Sequence, residues 1–279
     1  ARWPFVVRDV AAAFIKRAKD LELTPEVLLG RLAGHGDVPG LRLARLGAEI
    51  YAEYQRSLSL RGMVDFDDLI RLALEALKRD PDYLARLRRR WPYALEDEAQ
   101  DSSRLQQEIL SRLAGEAGNW VRVGDPNQAI YETFTTANPD FLRNFMQRPD
   151  VMACSLPNSG RSTLGVINLA NYLVHWVNTE HPHPQARVAL QANPLIEPTP
   201  ADDPQPNPPD TLTTIKVSTR RFTPAQEIMT VASSIERWLP THPDQTIAVL
   251  APRNQRAFDL VDELRRRSLP YVDDFLRSS

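Results

Sequence analysis

Residues 93–134 read YALEDEAQDSSRLQQEILSRLAGEAGNWVRVGDPNQAIYETF, and the order of elements in this stretch decides the fold. Two apolar runs each end in acids, Tyr93-Ala-Leu-Glu-Asp97-Glu98 and Trp120-Val-Arg-Val-Gly124-Asp125. Between them Leu105, Ile109, Leu110 and Leu113 recur at helical spacing. The pattern predicts strand, helix, strand, the crossover unit of a parallel sheet. Ligands of such sheets bind beyond the carboxyl ends of the strands, which places Asp97, Glu98 and Asp125 at a candidate site.

Adjacent carboxylates at a strand end suit nucleoside-triphosphate hydrolysis. One acid, Asp97, is placed to hold Mg²⁺ through its water shell, and Glu98 to orient or deprotonate the attacking water. Such a pair on its own is more often two solvated acids. The longer order of motifs carries more weight: DEAQDSS at 97–103, VGDPNQAIY at 123–131 and SGRST at 159–163. These strings resemble motifs II, III and IV of the UvrD/Rep/PcrA family, superfamily 1 DNA helicases. The resemblance implies an α/β fold: the RecA-like parallel sheet of P-loop NTPases, a helical insert, and the start of a second RecA-like domain. It also implies ATP-driven 3′-to-5′ translocation and DNA unwinding in repair or replication. ATP and Mg²⁺ are the implied cofactors, and single-stranded and duplex DNA the implied partners.

By the resemblance, Gln128 senses the terminal phosphate and links it to DNA movement. The local pattern offers a second account: Asp125 caps a helix, Pro126 opens it, and Gln128 completes a capping box. Arg161, in Ser159-Gly160-Arg161-Ser162, aligns with the arginine that reaches the terminal phosphate, where a guanidinium can neutralise transition-state charge. Its other reading is an exposed residue at a helix start. Tyr131 matches the family's motif III, and Phe134 stands in for its base-stacking aromatic. The arginine usual beside that aromatic is absent and one residue is added. Met63-Val-Asp-Phe-Asp-Asp-Leu resembles the segment where the chain returns from the insert, which puts Phe66 near the single-strand path. Helix capping by Asp65, with Asp67 and Asp68 near the positive end, accounts for the acids there. Arg86, Arg88, Arg89 and Arg90 read as a solvated face or a phosphate contact.

The organisation expected along the chain is a helical insert region over 1–62 and part of a first motor domain over 63–178. A proline-rich extended linker over 179–210 and the start of a second motor domain over 211–279 follow. Leu43, Leu46, Ile50, Tyr54 and Leu58 mark the packing stripe of a helix in the first part. The helix around Val166, Ile167, Ala170, Leu173, Val174 and Val177 is expected to pack on the sheet. Strands are expected at Thr211–Val217 and Thr246–Leu250.

With 279 residues, 42% of them hydrophobic, the chain can bury a sizeable core. A net charge of −2 means that DNA contact must come from local groups. Cys154, the single cysteine, excludes an internal disulfide. No apolar run approaches membrane-spanning length, so no membrane partner and a cytoplasmic location are expected. None of the lysines, Lys16, Lys19, Lys78 and Lys216, follows a glycine, so the G-x-x-x-x-G-K-S/T phosphate cradle is absent. The family's motifs V and VI are also absent. The resemblance covers most of residues 40–275 and only the middle of a complete helicase. That fits a truncated copy, a gene fragment or a degenerate member. Two alternatives stay open: the helicase part of a RecB-like or AddA-like helicase–nuclease, and a non-catalytic remnant that binds DNA or protein.

Overall fold

The computed structural model describes residues 3–36, 38–116, 118–129, 138–210 and 215–272. It divides into two units, residues 1–211 and 212–279.

The first unit begins with helices α1 (Trp3–Asp20), α2 (Pro25–Ala33), α3 (Arg42–Leu60), α4 (Phe66–Arg79) and α5 (Pro81–Arg90). Side-chain oxygens of Thr24, Asp65 and Asp80 cap α2, α4 and α5 by accepting from backbone N–H groups three residues ahead. The predicted packing stripe of α3 is off by part of a turn. Leu43 and Leu46 are exposed, and the buried residues are Gly47, Ala48 and Tyr51. Backbone approach decides this: the Phe14 ring of α1 lies 3.0 Å from where a Cβ on Gly47 would stand. Ile15, Ala18 and Tyr51 form the local core, with Leu23, Leu28 and Ile50 around them.

Beside this core is a buried charge network that capping alone does not explain. Lys19 on α1 is fully buried, and its Nζ donates to Asp65 Oδ2 at 2.6 Å and lies 2.9 Å from Asp68 Oδ2. Tyr54 Oη donates to Asp65 at 2.9 Å, and Gln55 Nε2 to Asp68 at 3.1 Å. Asp65 thus caps α4 and also binds α1 and α3. Asp68, expected near the positive end of α4, is there and is fully buried.

The predicted crossover follows. Strand β1 (Ala94–Glu96) and strand β2 (Trp120–Arg122) pair in parallel, Ala94 with Trp120 and Glu96 with Arg122, and helix α6 (Arg104–Ala114) connects them. Ser103 and Gln106 form a capping box at the start of α6. Arg88 of α5 donates its Nε to the Arg112 carbonyl at 2.8 Å, so one arginine of the predicted solvated face caps the end of α6. Arg104, at the start of α6, donates from Nη2 to the Asp20 carbonyl at 2.7 Å and ties the crossover to the end of α1.

Helix α7 (Asp140–Met146), strand β3 (Asn158–Ser159), helix α8 (Leu164–Glu180) and strand β4 (Glu197–Pro198) complete the first unit. β3 and β4 pair in parallel as a second small sheet. The proline-rich stretch is anchored there. Asn207 Nδ2 donates to the Ser159 carbonyl and, at 2.9 Å, to that of Ser162, while Asp210 accepts from the Gly165 N–H. Helix α8 buries only part of the stripe expected of it. Ile167 is buried and Ala170, Val174 and Val177 are partly buried, but Val166 and Leu173 are exposed. Asn168, Asn171, His175 and Asn178 line one face, and the apolar residues spread over the rest of the circumference, wider than a single packing stripe.

In the second unit, helices α9 (Pro224–Trp238) and α10 (Asn254–Arg266) pack through Ala232, Ile235, Leu260 and Leu264. Thr223 and Gln226 form a capping box at the start of α9. The expected strand at Thr246–Leu250 does not form: these residues are exposed and unpaired, with Leu250 at 95%. A strand needs a neighbour to bond its backbone, and none lies beside it among the described residues. Of the other expected strand, residues 211–214 lie outside the described residues, and 215–217 pair with no strand among the described residues.

Candidate functional site at the strand ends

Three consecutive acids end β1, and strand alternation sends them to different places. Glu96 points inward and is buried. Its carboxylate accepts from Arg122 Nε at 2.6 Å, Trp120 Nε1 at 3.0 Å and Ser102 Oγ. The Arg122 guanidinium lies 4.7 Å from the Trp120 ring centre and 5.0 Å from that of Phe145. Glu96 therefore anchors β2 to β1. Asp97 and Glu98 are exposed beyond the strand. Glu98 has φ 52° and ψ 41°, a left-handed backbone uncommon for a residue with a side chain. Asp97 Oδ1 accepts its N–H at 2.9 Å.

The residue that organises the site is Gln100, which is 1% exposed. Its Nε2 donates to Glu98 Oε2 at 2.7 Å, and its Oε1 accepts from the Asp125 N–H at 3.1 Å. One side-chain amide thus joins the ends of both strands. It fits because residue 124 is glycine: a Cβ there would stand 2.5 Å from Gln100 Oε1 and 3.0 Å from the Ala99 nitrogen. The backbone is also joined, with the Ala99 N–H donating to the Val123 carbonyl at 2.9 Å. Asp101, next in the loop, has its carboxyl raised above the usual range, first by burial and then by the nearby Glu98 charge.

This arrangement corrects the capping-box reading of Gln128. Residues Pro126–Gln128 form a short 3-10 turn, and Asp125 caps it by accepting from the Asn127 N–H at 2.9 Å. The Asp125 N–H, which a capping box would give to Gln128, is already bonded to Gln100. Gln128 instead donates Nε2 to Asp125 Oδ2 at 3.0 Å, and its side chain is exposed. Asn127 fixes the loop from the other side, exchanging two hydrogen bonds with the Gln191 backbone at 2.9 and 2.7 Å.

Glu98, Gln100, Asp125 and Gln128 are therefore linked by hydrogen bonds, with Asp97 adjoining. Arg161 is exposed in the turn before α8, which Thr163 caps, and among the described residues nothing bonds it to that chain. Phe66, the first residue of α4, is 86% exposed beside the half-buried Asp65. Tyr131 and Phe134 lie outside the described residues. Gln100, Ser102 and Arg122 had no role in the reading of the sequence. The only signal for Gln100 was its place within DEAQD.

Among the described residues no helix is long and apolar enough to cross a membrane. A family model described as UvrD/REP helicase N-terminal domain matches residues 7–150, just over half of the chain. The chain is 36% identical over 173 residues to ATP-dependent DNA helicase UvrD2 of Mycobacterium tuberculosis, covering 60% of this chain and 24% of that protein. It is 35% identical over 136 residues to ATP-dependent DNA helicase PcrA of Leuconostoc citreum, covering 48% and 18% respectively. For DNA helicase II of Haemophilus influenzae the identity is 32% over 133 residues, with the same coverage of 48% and 18%. The chain thus spans about a quarter or less of the length of these relatives.

Proposed function

This chain belongs to the UvrD/REP helicase family, and we propose that it forms part of an ATP-dependent DNA helicase with a RecA-like motor fold. The observation that carries the proposal is the hydrogen-bonded link between the two strand ends, Glu98 through Gln100 to Asp125 and Gln128. It puts a candidate base and a candidate phosphate sensor on one connected loop pair at the carboxyl edge of a parallel crossover.

Glu98 takes the proton of the attacking water, and its exposed carboxylate is open to that water. Gln128 contacts the terminal phosphate, and Arg161 offsets charge on the transferring group once nucleotide draws its turn close. Asp97 suits Mg²⁺. Its exposed carboxylate is a hard oxygen donor, and among the described residues no cluster of three potential ligands surrounds it. A cation that keeps most of its water and shares itself with phosphates needs no such cage. When bound, it would supply charge neutralisation at the phosphates. Phe66, Tyr131 and Phe134 are the aromatics proposed for the DNA path, where stacking accepts any base. Single-stranded DNA is the proposed track and duplex DNA the substrate. The relatives are helicases, which favours neither the helicase–nuclease nor the remnant reading.

The test is ATP hydrolysis and strand separation by the full-length protein. Hydrolysis stimulated by single-stranded DNA, with unwinding of 3′-tailed but not 5′-tailed duplexes, is expected. Hydrolysis indifferent to DNA, or unwinding only from a 5′ tail, would overturn the proposal.

A further inference from the structure

Gln100 is a buried amide whose two ends face groups of opposite demand. The Glu98 carboxylate can only accept, and the Asp125 N–H can only donate, so Nε2 must face the first and Oε1 the second. A side chain with one donor and one acceptor at amide spacing meets both needs. The absence of a side chain at residue 124 leaves room for it. Glu98 itself has a left-handed backbone, which makes its carboxylate position dependent on such tethers.

We infer that Gln100 is a positioning residue that holds the Glu98 carboxylate and passes to it the position of the 125–128 loop. The Asp125 carboxylate that binds Gln128 belongs to the same residue whose N–H binds Gln100. Movement of that loop when Gln128 meets a phosphate therefore reaches Glu98 through one side chain. This rests on the reading of Glu98 as the base for hydrolysis.

Two substitutions separate the two ends of the amide. Gln100→Met keeps the length and packing and removes both hydrogen bonds. Gln100→Glu keeps an acceptor for the Asp125 N–H and replaces the donor facing Glu98 by a second carboxylate. In the full-length protein, with Mg²⁺ and single-stranded DNA, both variants are expected to lower kcat by about 10–100-fold, because a misplaced catalytic group loses rate steeply. KM for ATP should stay within about threefold, since ground-state binding is untouched. In a Glu98→Gln background, Gln100→Met should add no further loss in single-turnover hydrolysis, because its effect runs through Glu98. If Gln100→Met fails to fold, Gln100→Glu carries the same comparison. The inference is overturned if Glu98→Gln is inactive while the Gln100 variants keep wild-type kcat. It is also overturned if their loss lies in KM, or if it multiplies with that of Glu98→Gln. If Glu98→Gln itself hydrolyses ATP normally, the underlying assignment of the base fails, an outcome distinct from the others.

Discussion

Lys19 and Asp68 meet at 2.9 Å with side-chain exposures of 0% and 1%. Asp65 shares the same ammonium, so one cation faces two carboxylates where water cannot reach it. Removing it by Lys19→Met takes the shared ammonium from the partly exposed Asp65 and leaves Asp68 with Arg71, 3.6 Å from its Oδ1, at an expected cost of about 3 kcal/mol. Replacing both acids as well, with Asp65→Asn and Asp68→Asn, should recover much of that loss, because no buried charge then remains. Urea unfolding of this chain measures both. A single-variant loss below about 1 kcal/mol, typical of exposed pairs, would show that the network is not sealed.

The same network sets the pH dependence of the first unit. Burial alone would raise Asp65, but hydrogen bonds from Lys19, the Asp68 N–H and Tyr54 outweigh it and hold the carboxyl below its ordinary 3.8. Its contribution is therefore complete above that value and is lost as pH falls through the lower, folded one. Asp67, raised by burial, works weakly against this. At the alkaline end, burial, aided by nearby carboxylates, pushes Tyr51 and Tyr54 from 10.0 to about 12. Their contribution is complete below pH 10 and declines as pH rises toward 12. Urea midpoints across pH should fall at both ends, and Asp65→Asn should flatten the acidic fall. An unchanged acidic limb in that variant would contradict the assignment.

Gly124→Ala should be harmful for a steric reason. Its Cβ would meet Gln100 Oε1 at 2.5 Å and the Ala99 backbone at 3.0 Å, and the latter cannot swing aside. A stability loss of about 1–3 kcal/mol is expected. In the full-length protein it should come with the same kcat loss as Gln100→Met. Normal stability and turnover together would mean that the approach relaxes freely.

In the full-length protein, Glu98→Gln should lower single-turnover hydrolysis by about 10²–10⁴-fold while ATP still binds, since an amide cannot take the water's proton. Arg161→Ala should slow hydrolysis by about 10²-fold or more through lost charge stabilisation. The double variant should be little worse than the worse single one, because both residues act on one transition state. Two exposed residues without catalytic roles would each leave single-turnover rates nearly unchanged.

Residues 1–279 alone lack a phosphate cradle and carry a net charge of −2. This chain by itself should show no turnover near 1 s⁻¹, the low end of typical enzymes. It should bind single-stranded DNA weakly, with affinity falling steeply as salt rises. Phosphate release and fluorescence anisotropy across a salt series decide, and tight binding that survives high salt would count against this account.

The elements whose causes are local were legible in the sequence. Asp65 caps the helix that its side chain predicts, and Thr24, Asp80, Thr163 and Thr223 cap theirs in the same way, because a cap is a contact within three or four residues. The strand–helix–strand order around Asp97 and Asp125 could be read from hydrophobic period alone. What the sequence could not reveal depends on residues distant in the chain. The burial of Lys19 requires α4 to bring Asp65 and Asp68 to it. The face α3 buries follows from how close Phe14 comes to Gly47. Among the described residues nothing pairs with Thr246–Leu250, because extended structure needs a partner that period does not supply. Local pattern assigns the Asp125 N–H to Gln128, and tertiary structure gives it to Gln100, since two loops on adjacent parallel strands lie closer than their 25-residue separation suggests.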